Sequence, residues 1–110
     1  MKNDAFSMTL LFDYYGELLT EKQKTYFDLY YNQDFSLAEI AEEEGISRQG
    51  VHDALTRTEA ALRNFEAKTG MVARAMERRT ALETVERLAK QVQDPALAQA
   101  ILQAVQSIKE

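Results

Sequence analysis

Apolar residues recur along this chain at helical rather than strand spacing, which predicts helices almost throughout. Phe6, Leu10 and Tyr14 follow one another at intervals of four, with Leu11 and Tyr15 alongside, so a first helix is expected from about Ala5 to Tyr15, loosened or ended by Gly16. Thr20-Glu-Lys-Gln23 has the form of a capping box. It opens a second, strongly aromatic helix that runs to about Tyr31, before the polar turn Asn32-Gln33-Asp34. Ser36 with Glu39 forms another capping box, ahead of a short third helix. A long fourth helix is expected from Arg48 to about Lys68, because nothing interrupts the pattern before Thr69-Gly70; it carries Leu55, Leu62 and Phe65 at heptad-like spacing. Past Gly70 the stripe Leu82, Val85, Leu88, Ala89 and Val92 predicts a fifth helix. Asp94 then serves as N-cap and Pro95 as first residue of a sixth, whose stripe is Leu97, Ala98, Ile101, Leu102, Val105 and Ile108. The expected fold is all-α: a helix-turn-helix domain over residues 1–68, then C-terminal amphipathic helices over 69–110 forming a hairpin.

The helix-turn-helix reading rests on Ser36 to Leu62. Ile40 and Ala41 give the first motif helix a buried face, and the small Ala41 allows a second helix to cross closely. Gly45 tolerates the positive φ that the turn demands. Ile46 is expected to plug the core just after it, and Ser47 to cap the helix that begins at Arg48. Val51, Ala54 and Leu55 then share one side, facing back onto Ile40. Where this motif binds DNA, the start of the second helix enters the major groove. Its outward positions here are Ser47, Arg48, Gln49, His52, Asp53 and Thr56, with Arg57 just behind. Arg48 suits guanine and Gln49 adenine, each in a bidentate manner, and Ser47 and Thr56 suit phosphate or base contacts. The same pattern also suits a plain solvated helix face, because the fold is widely reused.

Charge weighs against a strong duplex binder. The formal net charge of the 110 residues is −5, whereas such binders carry a basic excess. Residues 36–66, which hold the motif, carry three cations against seven anions. Only residues 67–110 are net basic, with seven cations against five anions. Tight sequence-independent phosphate binding is therefore not expected of the motif.

Other chemistry is poorly provided for. There are no cysteines, so disulfides and thiolate metal sites are excluded, in keeping with a reducing cytosol. His52 is the only histidine and has no recognisable nucleophile partner, and Glu42-Glu43-Glu44 point in different directions on a helix. No phosphate-binding glycine loop is present. We expect no enzyme, no cofactor and no metal. With no long apolar run and no signal-peptide core, a soluble, cytoplasmic protein is expected. Nine of the ten aromatic residues lie in the first 35 positions; their helical spacing assigns them to a core rather than to a base-stacking platform.

Leu11-Phe-Asp-Tyr-Tyr15, Leu18-Leu-Thr-Glu-Lys-Gln23, Leu29-Tyr-Tyr31, Phe35-Ser-Leu-Ala-Glu-Ile-Ala41 and Ser47-Arg-Gln49 together resemble the YlxM family of small helix-turn-helix proteins of Gram-positive bacteria. The likeness spans about residues 8 to 79. The motif also resembles the promoter-binding C-terminal domain of sigma factors. What the resemblance implies is a regulatory or accessory role in the signal recognition particle pathway, with the particle's RNA, its GTPase or both as partners, and DNA as the alternative partner. Two departures stand out: Glu44 occupies a usually apolar position of the motif, and Gly50 falls inside the second motif helix.

Lys68, Arg74, Arg78, Arg79, Arg87 and Lys90 are six of the seven cations of residues 67–110 and form the candidate RNA-facing set, unless they are merely a solvated face. Leu82, Val85, Leu88 and Val92, with Leu97, Ile101, Val105 and Ile108, can bury one another but leave an apolar flank uncovered. That flank can fold back on the N-terminal helices or pair with a second subunit. A homodimer is expected, and these eight residues are its candidate interface.

Overall fold

The structure, a computed structural model, describes residues 5–109. All its regular elements among those residues are helical: α1 (Ala5–Tyr15), α2 (Glu21–Phe27), α3 (Leu37–Glu44), α4 (Arg48–Thr69), α5 (Met71–Ala89) and α6 (Pro95–Lys109). A 3₁₀ turn (Gly16–Leu18) follows α1, and a π-helical turn (Asp28–Asn32) extends α2. The chain divides into two compact units, residues 1–72 and 73–110. The fold is all-α, as the periodicity predicts. The Phe6 side chain lies outside the described residues.

The helix boundaries follow from local chemistry. In both capping boxes the reciprocal bonds are made. Thr20 N donates to Gln23 Oε1 at 2.9 Å, and Ser36 N donates to Glu39 Oε1 at 2.9 Å, each satisfying a donor that the helix start leaves open. The Ser36 backbone N–H and hydroxyl hold the Glu39 carboxyl below its ordinary range. Ser47 Oγ accepts from Gly50 N at 3.0 Å and starts α4, and Asp94 Oδ1 accepts from Ala96 N at 3.0 Å ahead of Pro95. Gly45 (φ 68°) and Gly70 (φ 62°) end α3 and α4 in the left-handed region. The widened end of α2 is closed by Gln33 N donating to Asp28 O at 3.0 Å and Phe35 N donating to Leu29 O at 2.9 Å, with Asp34 taking a positive φ of 61°.

In the first unit α4 is the spine of two neighbouring cores. Val51 and Leu55 join Tyr26, Ile40 and Ala41 in one. Leu62 joins Met8, Leu11, Tyr15, Leu19, Phe27 and Val72 in the other. The aromatic residues do structural work: Phe27 stacks on Phe12 and on Tyr31, both with centroids at 4.4 Å. The position of Ile46 corrects the expectation that it plugs the core. It is 40 % exposed, because the left-handed turn at Gly45 sets it at the edge of a cleft between α2 and α4. Glu44 is half-buried, and α3 docks through the buried pair Ile40 and Ala41.

Two polar clasps tie other elements to α4. The Tyr31 hydroxyl donates to Glu59, which is only 6 % exposed. The Tyr15 hydroxyl donates to Glu66, whose Oε1 also accepts from Val72 N at 3.0 Å, so one carboxylate holds α1 and the start of α5.

Burial first, and then the hydrogen bond and charge of Glu59, push the Tyr31 phenol well above its ordinary value. A raised folded value means that the neutral form is favoured by folding. The contribution is therefore complete below about pH 10 and is lost as pH rises through the folded value. Tyr31→Phe should destabilise by about 1–3 kcal/mol at neutral pH, because a buried carboxylate loses its donor. Urea unfolding of both chains should show that gap constant from pH 7 to 9 and shrinking above about pH 10. A gap independent of pH up to 11 would mean that the clasp does not carry the difference.

Candidate nucleic-acid and protein interface

The motif's second helix presents the residues its sequence selects. Ser47, Arg48, Gln49, His52, Asp53, Thr56 and Arg57 are all exposed on α4, in line with the helical register that turns Val51 and Leu55 inward. Their chemistry is less open than their exposure. Ser47 spends its hydroxyl on capping the helix. Gln49 Nε2 donates to Asp53 Oδ1 at 3.0 Å, and the same oxygen lies 3.7 Å from His52 Nδ1. Asp53 thus sits in the middle of the face that would read bases, holding the amide that would reach adenine. A carboxylate there repels phosphate, and freeing Gln49 for a base requires breaking an existing bond.

Gly50 has a local reason. A Cβ at this position would come to 3.1 Å from Ser47 Oγ, so the glycine leaves room for the cap. Its helix-propensity cost, about 1 kcal/mol relative to Ala, is offset by an N-cap bond of similar worth.

The basic set is exposed at all six positions, but helical register divides it. Arg74 and Arg78 are four apart on one side of α5, and Arg79, Arg87 and Lys90 fall toward the other side. Lys68 belongs to α4 and to the first unit. A single flat contact would meet part of this set only.

Of the apolar stripes in the second unit, Val105 is buried, and Leu82, Val92 and Ile101 are half-buried. Val85, Leu88, Leu97 and Ile108 are exposed, Leu88 at 54 % and Leu97 at 52 %. Lys109 pairs with Glu86, joining the end of α6 to α5.

Among the described residues no group of three or more His, Cys, Asp or Glu could hold a metal ion, and no helix is long and apolar enough to cross a membrane. What sequence reasoning missed is polar and buried: Thr58 and Glu59. Their signal was positional, since both lie between Leu55 and Leu62 on the inward side of α4.

Comparison with known proteins decides the family. The model for YlxM / p13-like helix-turn-helix proteins matches residues 2–105. This chain belongs to that family. A family protein of Thermoanaerobacter sp. (strain X514) is 41% identical over 114 residues, covering 100% of this chain and 97% of the relative. YlxM of Bacillus subtilis (strain 168) is 42% identical over 101 residues, 92% of each chain. A family protein of Desulforamulus reducens is 52% identical over 67 residues, 61% of this chain and 57% of the relative.

The Gln49–Asp53 bond and the acidic segment around this face set an expectation for this YlxM-like chain. At near-physiological salt, duplex DNA should bind no tighter than the roughly 10⁻⁴–10⁻⁶ M of non-specific association. A fluorescence-anisotropy titration of wild type against Arg48→Ala plus Arg57→Ala checks it. Submicromolar, sequence-selective binding that the double variant loses would restore the base-reading role.

Proposed function

We propose that this protein is a non-enzymatic regulatory or accessory component of the signal recognition particle pathway, acting by binding the particle's RNA, its GTPase or both. The resemblance to the YlxM family points to that pathway. The observation that supports an adaptor over a DNA-binding transcriptional regulator is Asp53, which occupies Gln49 and places negative charge in the centre of the motif's outward face. In this reading the motif is a scaffold, and the exposed cations of α5 are the RNA-facing candidates. Purified full-length protein, titrated against the particle's RNA, its GTPase and the assembled complex, should bind at least one and alter GTP turnover. Folded protein that binds none of the three sinks the proposal.

We also propose a homodimer through the second unit. Val85, Leu88, Leu97 and Ile108 keep large apolar side chains in water, which burial against a second copy would relieve. Light scattering at tens of micromolar should give the dimer mass for wild type and the monomer mass for Leu88→Glu plus Leu97→Glu. Both substitutions fall at exposed positions, and an unchanged helical circular-dichroism spectrum checks that the variant keeps the fold. A wild-type monomer at that concentration excludes the dimer.

A further inference from the structure

Beside the outward face of the motif, α2 and α4 flank an open cleft of about 290 Å³. Its apolar surface comes from Tyr26, Ile46 and Ala54, and Gly50 adds depth by having no side chain. Lys22 from α2 and Arg57 from α4 also line it. Among the described residues neither cation is in an ion pair, whereas the neighbouring Lys24 is held by Glu17 at 3.6 Å and Glu21 at 3.5 Å. Ile46, which the sequence assigns to the core, is 40 % exposed here.

An apolar slot with a cation from each wall fits an apolar group that carries negative charge beside it. The volume is at the lower end of the roughly 300–1,000 Å³ of sites that enclose whole small ligands, so it suits one anchoring side chain rather than a complete metabolite. A nucleic acid would bring many phosphates past a segment with seven anions and three cations. A short peptide brings only the few carboxylates that Lys22 and Arg57 can meet.

We propose that this cleft is a docking site for a peptide segment of a protein partner, in which a leucine or phenylalanine enters between α2 and α4 and flanking carboxylates pair with Lys22 and Arg57. Tyr26 and Ala54 contact the anchor, Ile46 covers its outer side, and Gly50 lets it sit close to the backbone of α4. The docking mode is independent of the pathway the partner belongs to. It also gives the first turns of α4 a protein-facing use that leaves the Gln49–Asp53 bond intact.

The test is a nitrogen-15 NMR titration of the full chain with a blocked hexapeptide, Leu-Phe flanked by two glutamates on each side. The glutamine counterpart and a ten-nucleotide uridine strand serve as the other arms. The glutamate peptide should shift the amides of Tyr26, Gly50 and Ala54 in a saturable way. Its affinity should fall about fivefold or more in Lys22→Ala plus Arg57→Ala, and by a similar factor with the glutamine peptide. Unchanged thermal unfolding of that variant keeps the loss assigned to the cleft. No saturable shift at millimolar peptide, equal binding of the two peptides, or tighter binding of the uridine strand to the same amides would each overturn the proposal.

Discussion

One inward stripe on one long helix has to serve two cores, and the rest of the first unit is arranged around that requirement. Val51 and Leu55 close the core under the motif, and Leu62 closes the core under α1. α2 reaches both cores as well, through Tyr26 and Phe27, and α1, α2 and α3 each pack against α4. Two carboxylates on the same helix extend this logic with polar contacts. Glu59 receives the Tyr31 hydroxyl, and Glu66 receives the Tyr15 hydroxyl and the Val72 amide. Charge-assisted bonds of this kind are directional, which apolar packing alone is not. They fix how the aromatic residues of the N-terminal helices face the spine.

The spine also decides what the motif can present. With Val51 and Leu55 turned inward, the register sends Gln49, His52, Asp53 and Thr56 outward and leaves Gly50, Ala54 and Arg57 along the α2 side. The outward row is partly committed to its own chain through Asp53. The α2 side is apolar, with two cations, Lys22 and Arg57, that are in no ion pair among the described residues. A helix-turn-helix built this way is better furnished along its flank than on the face the motif uses for bases. Membership of the YlxM / p13-like family agrees with the motif and leaves its ligand open to experiment.

Much of this was legible in the residues. Thr20, Ser36, Ser47 and Asp94 announce helix starts because a short side-chain oxygen has few other uses just before an apolar period. Gly45 and Gly70 announce helix ends, since only glycine takes a left-handed cap without strain. Three features escaped. Ile46 is hydrophobic but exposed, because composition does not say which way the chain leaves a left-handed turn. Thr58 and Glu59 are polar but buried, because a partner such as Tyr31, 28 residues away from Glu59, is invisible to any local window. The cleft itself, with Lys22 opposite Arg57, exists only once α2 crosses α4.

The claim that α4 unites both cores is tested most directly by amide hydrogen exchange on the full chain. If the spine is shared, the amides of Val51, Leu55 and Leu62 should exchange with one common opening free energy, equal to that of global unfolding measured with urea. Opening of Val51 and Leu55 at a free energy well below that of Leu62 would contradict it, and would make the motif a separate unit hung on the aromatic core.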